Sequence, residues 1–472
     1  GATGSVALAT EVRLQKQMLI RGCDHLDREQ RLAQSCAARS EIVLWHPASE
    51  DELDVVYAGR PVPMTALDGG VQLKIEVGSD PGPIERRRKD GEVLERVVLR
   101  TSPATELALS PEDLQPDRIE ESILRNERVF DGADEGMAVF AAVNLLQLHL
   151  VTGRPAVARG LGLDALRRFR NSMQHRAVGT IAAITAHVLL QSSSSRAQLD
   201  LVLAALEHHG RFDASTLAQF HFNEGRVAVE TSNHRRAISA FAAAGEIASR
   251  VAMADVTMAA GVEELYVTAM VGDFENFSRR VDPVRGRLKD AGLSDCDYGR
   301  SLSNLAWSSM VAEEARDAPD FTKTLEILAD ARPFFEPGGR CEDGKSRVDA
   351  ALNAAFAHLR QGQLAQAQIA LASFEQTTTA TQAQWRQLIH GMLEAKRGET
   401  SAALNAFVDL VRRAEEQSQF DLAWRAMIAA ADAAYEQGEI EDSLAFHRAA
   451  NRLISDQLWS VSADDARELF VA

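Results

Sequence analysis

The sequence predicts a mainly α protein, an α-solenoid of about eight helical pairs that follows a small all-β, sandwich-like module. Three observations predict this fold. Alanine is abundant whereas Phe, Trp and Tyr together make up 6% of the residues, which favours helices packed closely on helices. From about residue 115 onward the apolar residues follow the helical period, and before it they alternate as in strands. Small and large apolar residues also return at fixed offsets in the second part, as expected for a repeat.

Charge and hydropathy exclude two classes of partner. The chain has 472 residues and a formal charge of −17, so its field repels phosphate backbones and nucleic acid is not an expected partner. No run approaches the roughly 18 apolar residues that span a bilayer, so no membrane contact is expected. We expect a cytoplasmic protein.

The first forty residues divide into two segments. Residues 1–5 resemble a cloning remnant, and residues 6–40 are interpreted as a lead-in. Cys23 and Cys36 lie in this lead-in and either form a local pair or remain ordinary thiols, as is common inside cells.

Residues 41–112 are predicted to form the β module. Short alternating runs such as EIVLWHP and VQLKIEVG are separated by turn sequences such as ALDGG and GSDPGP, which is the chemistry of strands and turns. We expect about five strands.

Residues 113–460 are predicted to form the helical array. Starting from Ala355, Gly391 and Ala431, residues of matching character follow at offsets of 7, 12, 16 and 19, and the copies are 36 and 40 residues apart. A fourth copy starts at Gly225. Such a small residue allows two helices to cross closely, and a large apolar residue one turn later fills the space between units. The pattern G-x6-G-x4-A-x3-F at 391–407 resembles the tetratricopeptide repeat.

Residues 339–346 read GRCEDGKS and match the phosphate-loop pattern G-x-x-x-x-G-K-[ST]. A phosphate loop needs a strand before it, but the preceding LEILADARPFFEPG has the helical period. Glu342 and Asp343 would also place two carboxylates against a triphosphate. We therefore interpret this segment as a joint between repeats, where Asp343 or Ser346 caps the next helix, and we expect no cofactor.

No catalytic or metal site is predicted. Cys296 and Cys341 have acidic neighbours, which disfavour a thiolate nucleophile. His208 and His209 end a predicted helix, where imidazoles complement the helix dipole, and no ligand set for a metal accompanies them.

Binding is better supported than catalysis. In a repeat array of this kind the first helix of each pair lines the inner, concave face, where basic and aromatic residues recur. We predict a groove for a protein or peptide, including an acidic segment of a partner, although packing between helices would explain the apolar positions equally well. The predicted contact residues are Phe222, Arg226, Phe356, Arg360, Trp385, Lys396, Arg425 and Tyr435.

The order of the segments resembles the amino-terminal region of bacterial CHAT proteins, in which tetratricopeptide repeats precede a caspase-like cysteine peptidase. The strand-rich leader and the closing helix pair with its SADDARELF continuation carry this resemblance. It implies a non-catalytic recognition and regulatory role for this chain, with residues 461–472 beginning a truncated helix and a peptidase domain following in cis. Two alternatives remain open: the sensor half of another signalling protein (a diguanylate cyclase, kinase or transcription activator), or a self-contained scaffold or adaptor.

Overall fold

The structure is a computed structural model. It describes residues 19–459 except for short gaps at 31–32, 48–52, 68, 79–80, 102–106, 108, 116, 133, 191–195, 232, 315, 317, 337–338, 342–343, 375–378 and 417–418. The residues predicted as a cloning remnant and as a truncated final helix lie outside this range.

The described strands form one sheet. They are β1 (Leu19–Gln30), β2 (Ala33–His46), β3 (Asp54–Tyr57), β4 (Arg60–Pro61), β5 (Met64–Leu67), β6 (Gly70–Glu76), β7 (Ile84–Arg87) and β8 (Val93–Thr101). The strand order is β4-β3-β7-β8-β2-β6-β5, and β1 pairs with β2. The pairing is antiparallel except between β2 and β8.

Two features of this sheet differ from the sequence-based prediction. Strands begin at Leu19, inside the predicted lead-in, and the described residues hold eight strands rather than about five. The additional strands are β1 and short strands such as β4 and β5. The strand β2 also begins earlier than predicted, because its residues 33–38 pair with β8 while its residues 41–46 pair with β6. Its first half is polar and alanine-rich, so it lacks the alternation that marks a strand in sequence.

The described part of the chain also holds 17 α-helices, packed in consecutive pairs. The first nine are α1 (Ile119–Phe130), α2 (Glu135–Val151), α3 (Pro155–Arg168), α4 (His175–Leu190), α5 (Arg196–Gly210), α6 (Ala214–Glu230), α7 (His234–Arg250), α8 (Ala254–Met270) and α9 (Phe274–Asp290). The others are α10 (Asp295–Glu314), α11 (Thr322–Phe335), α12 (Gly344–Arg360), α13 (Leu364–Ala372), α14 (Ala380–Lys396), α15 (Thr400–Glu416), α16 (Phe420–Glu436) and α17 (Ile440–Trp459). The prediction of a mainly α, tetratricopeptide-like array of about eight pairs is confirmed. Among the described helices, none is long and apolar enough to cross a bilayer.

The chain divides into two compact units, which we call unit one (Gly1–Gly225 and Ala242–Thr257) and unit two (Arg226–Phe241 and Met258–Ala472). In unit one the sheet packs against helical residues. Trp45 is fully buried with Ile247 and Val251, and the Arg250 guanidinium lies 4.2 Å from the Trp45 ring centroid. Gln72 on β6 donates a hydrogen bond of 2.8 Å to the Arg250 carbonyl, so polar and apolar contacts together fix the sheet on α7.

Unit two is built from the repeated helical pairs that the sequence indicates. Gly391 on α14 faces Phe407 on α15 so closely that an added Cβ would lie 2.7 Å from the ring. Phe407 is 1% exposed. The glycine therefore permits the helix crossing, and the phenylalanine fills the space between neighbouring pairs.

Candidate functional site

The structure separates the predicted contact residues into two groups. Phe356 and Arg425 are buried and Trp385 is half-buried, whereas Arg360, Lys396 and Tyr435 are exposed. The six belong to α12, α14 and α16, which are first helices of consecutive pairs in unit two. Phe222 and Arg226 are half-buried on α6, at a distance in sequence from the others.

Arg425 lies at the centre of a cluster that sequence periodicity does not show. Its guanidinium donates a hydrogen bond of 2.6 Å from Nη2 to Glu314 Oε2, and it also bonds the Asp421 carboxylate. Its carbon Cζ is 5.4 Å, 5.6 Å and 4.2 Å from the ring centroids of three tryptophans, within the range of cation–π attraction. We call the surroundings of this side chain the arginine cage; its members are Trp307, Glu314, Trp385, Asp421 and Trp424.

The cage joins helices that are far apart in sequence. Glu314 is the last residue of α10 and precedes Arg425 by 111 residues. The rings of Trp307 and Trp385 meet nearly at right angles at 5.1 Å, and Phe356 packs on Trp385 at 5.8 Å. Side chains from the first helices of four consecutive pairs therefore meet in this cluster of unit two.

Electrostatics hold the buried guanidinium in its charged form. Burial by itself lowers the pKa of Arg425, but the carboxylates of Asp421 and Glu314 outweigh it, so that the pKa lies above the usual arginine value. Beside the cage, Tyr266 on α8 is hydrogen-bonded to Trp307, and burial raises the pKa of its phenol.

The side-chain fraction of Arg425 exposed to solvent is 5%. Arg425 is thus an interior residue, and we expect its replacement by Glu to lower the stability of unit two.

The exposed group forms an open edge next to the cage. Arg360 is the last residue of α12, Lys396 the last of α14, and Tyr435 lies one residue before the end of α16. We call these three residues the rim. Arg360 Nε is 3.8 Å from Glu314 Oε1, so one carboxylate serves both the rim and the caged Arg425.

Carboxylates accompany the other basic residues as well. Desolvation raises the pKa of Asp432, while His447, Lys396 and Arg360 lower it. Burial likewise raises the pKa of Glu263, and Arg226 opposes that shift. The surroundings of these basic residues therefore carry charges of both signs.

The segment GRCEDGKS is a joint between helical pairs, as interpreted. Residues 342–343 lie outside the described part, and α12 begins at Gly344 after a helix rather than a strand. Cys341 forms a disulfide with Cys296 at the start of α10, so the two cysteines considered as thiols are covalently joined. Cys23 is disulfide-bonded as well, and no described cysteine is free, so the alternative of an ordinary thiol at Cys23 is wrong. The side chain of Cys36 lies outside the described residues.

The histidines of unit one have a different role from the predicted capping. His209 is fully buried, and its Nδ1 lies 2.9 Å from Nδ1 of His175, whose ring stacks on Phe212. Burial lowers the pKa of His209 to about 4, so this ring is neutral near pH 7. Among the described residues, no group of three or more His, Cys, Asp or Glu side chains could hold a metal ion.

Sequence reasoning missed four members of the cage: Trp307, Glu314, Asp421 and Trp424. Trp307 and Glu314 stand seven residues apart on α10, two turns along one face. A further signal was available: three of the five tryptophans of the chain fall on first helices within 307–424.

Comparison with known proteins gives only distant likenesses to solved structures. No family model matches the chain, and no curated protein matches it. A Rap protein crystallised with competence and sporulation factor shares 10% identity with a TM-score of 0.48, covering 75% of this chain and 100% of that one. RapI in its apo form shares 12% identity with a TM-score of 0.48, covering 76% of this chain and 98% of that one. The APC/C hetero-tetramer Cut9–Hcn1 shares 14% identity with a TM-score of 0.24, covering 75% and 81%. At these identities and TM-scores the likenesses establish no common function.

Proposed function

We propose that this chain is a non-catalytic recognition and regulatory region that binds a protein or peptide partner on the inner side of unit two. The observation that carries the proposal is the rim. Two exposed cations and one exposed tyrosine, which is 66% exposed, stand at corresponding ends of three consecutive first helices. Exposed aromatic and basic groups brought together in this way are typical of peptide-binding surfaces.

The rim suits a ligand of mixed character. Arg360 and Lys396 provide charge-assisted hydrogen bonds, and the Tyr435 ring provides apolar area with a polar tip. Both cations lie close enough to Asp432 to lower the pKa of its carboxyl group. An extended segment that carries both signs of charge would match this pattern better than a purely acidic one.

A charge-reversal pair tests the rim. We expect Arg360→Glu with Lys396→Glu to weaken partner binding at least tenfold, since both charge-assisted contacts become repulsive. The matched control is Arg287→Glu with Lys289→Glu, which makes the same charge change at two exposed positions of α9. The partner would be identified by crosslinking mass spectrometry with the wild-type chain, then purified and titrated against both variants.

Equal affinity of the rim variant and the control would contradict the proposal. A loss of the thermal transition in the rim variant would assign these residues to stability instead. We also expect the purified chain to cleave no peptide and to hydrolyse no ATP.

The wider role rests on the resemblance to CHAT proteins. We propose that the array regulates or recruits substrate for a caspase-like peptidase domain of the same protein. The codons beyond Ala472 test this: a domain with the His and Cys of a peptidase supports it. Another signalling domain would favour the sensor alternative, and a stop codon would favour a scaffold or adaptor.

A further inference from the structure

We infer that the arginine cage is a recognition site for the guanidinium group of a partner's arginine side chain, which the chain's own Arg425 occupies in this structure. The inference rests on the proposed function and names the ligand chemistry of one site within it. Arg425 and an incoming arginine would compete for the same tryptophans and carboxylates.

The composition of the cage matches a guanidinium. Aromatic rings from three different positions surround the planar cation, with the Trp307 and Trp385 rings nearly perpendicular to one another. Glu314 accepts from both Nε and Nη2, at 3.2 Å and 2.6 Å, while Asp421 accepts from Nη1. Arginine suits such a site better than lysine, because its fork of donors can meet two carboxylates while its flat face lies on the rings.

The tryptophan walls of the cage are partly open to solvent, although the side chains of Arg425 and Glu314 are only 5% and 9% exposed. The three tryptophans are half-buried rather than buried. Glu314 Oε2 pairs with Arg425 at 2.6 Å, and Glu314 Oε1 lies 3.8 Å from Nε of Arg360 in the exposed rim. The cage therefore adjoins the proposed binding surface through Glu314.

Arg425 fills the cage and also connects two distant helices. Its ion pair with Glu314 joins α16 to α10 across two intervening helical pairs, so a ligand that replaces it also releases this closing contact. A partner segment carrying an arginine would fill the vacated cage and leave the carboxylates paired. A segment without a cation would leave two carboxylates uncompensated in a poorly solvated place, which is unfavourable.

The test uses Arg425→Ala and the probe peptide acetyl-Ala-Ala-Arg-Ala-Ala-amide, with a matched peptide in which citrulline replaces arginine. Binding would be followed by tryptophan fluorescence. We expect saturable binding of the arginine peptide to the variant, and at least tenfold weaker binding of the neutral citrulline peptide. Wild type should bind the arginine peptide at least tenfold more weakly than the variant, because Arg425 competes.

Two controls define the site. Arg280→Ala removes another ion-paired arginine of unit two, at 2.7 Å from Glu264, and should not create binding. Adding Trp385→Ala to Arg425→Ala should abolish it. If Arg425→Ala lacks a cooperative thermal transition, Arg425→Gln replaces it, since glutamine keeps part of the methylene stem and removes the charge.

A folded variant that does not bind the arginine peptide, or that binds the citrulline peptide equally, would overturn the inference and leave Arg425 as a structural clamp. That result would not affect the rim test, which is read from partner binding by the Arg360 and Lys396 variant. If the Arg360 and Lys396 variant kept full affinity for the partner while Arg425→Ala bound the arginine peptide, only the proposed binding surface would be refuted.

Discussion

Each unit contains a buried polar cluster, and the two clusters differ in charge, although unit one also buries the Arg250 guanidinium against Trp45. Unit one buries neutral groups that bond one another, such as Asn126 and Asn144 at 2.9 Å and the ring pair of His175 and His209. Unit two buries a charged group, Arg425, among carboxylates and tryptophans. The imidazoles titrate near neutral pH once the chain unfolds, whereas an arginine does not titrate in this range in either state. Unit one should therefore respond to pH, and unit two to the loss of a single charge.

The largest effect is expected from Arg425→Glu. The new carboxylate would lie beside Glu314 and Asp421 in place of their cation, and breaking a buried pair in this way costs about 3–5 kcal/mol or more. Hydrogen exchange followed by mass spectrometry should show the loss in the helices of unit two, with the sheet of unit one unchanged. An unaltered thermal transition would show that the cage contributes nothing to stability.

The disulfide between Cys296 and Cys341 gives the next effect, again in unit two. Replacing both by Ser should lower the free energy of unfolding by about 2–4 kcal/mol, because the unfolded chain regains a loop of 45 residues. Denaturant titration with and without a reducing agent would measure it. If reduction of the wild type has no effect, the bond is not formed in solution. Such bonds are typical of oxidising compartments, which does not favour the cytoplasmic location expected from the sequence.

The repeat packing can be tested at two glycines of unit two. Gly391→Ala should cost about 1–3 kcal/mol, because the added Cβ would meet the buried Phe407 ring. Gly286→Ala is the control: it is exposed on α9 with open space around it, so alanine should stabilise by about 0.5–1 kcal/mol. Thermal unfolding of both variants would measure these stability changes. If both variants were stabilised or both destabilised, the assigned close crossing at Gly391 would be refuted.

Lowering the pH from 7 to 5 should reduce the free energy of unfolding of unit one by about 1–2 kcal/mol more than that of unit two. The pKa of His46 is lowered to about 4 by burial and by Arg86, and that of His209 to about 4 by burial and by His208. Between pH 6.5 and pH 4 the unfolded chain binds protons that these folded rings do not. Stability of unit one is therefore lost as the pH falls through this range, although protonation of the buried Asp213, whose pKa is raised, reduces the loss.

In unit two, acidification lowers stability at some groups and raises it at others. His234 acts as the histidines of unit one do, since burial lowers its pKa. Glu263 and Asp432 act in the opposite direction, because their pKa values are raised and their protonation relieves a desolvated charge. Hydrogen exchange at pH 7 and pH 5, corrected for intrinsic rates, should show earlier opening of unit one. Earlier opening of unit two would contradict the comparison.

The sequence predicted what depends on local spacing. The pair Gly391 and Phe407 was found from its offset of 16 residues, because helix crossings repeat with the chain. The contact of Arg425 with Glu314 could not be found in this way, because it depends on how far successive pairs turn, which accumulates over 111 residues. The first strands were missed for a similar reason, since the pairing of β1 and β2 is made by backbone groups in a polar segment.

The disulfide also has a mechanical consequence. It encloses α10 and α11 in a covalent ring with a sequence separation of 45 residues. If the chain were stretched from its two ends, the disulfide would prevent about 150 Å of chain from extending until the bond was reduced. One helical pair would thus be shielded from force while its neighbours unravelled, including the pairs that carry the rim.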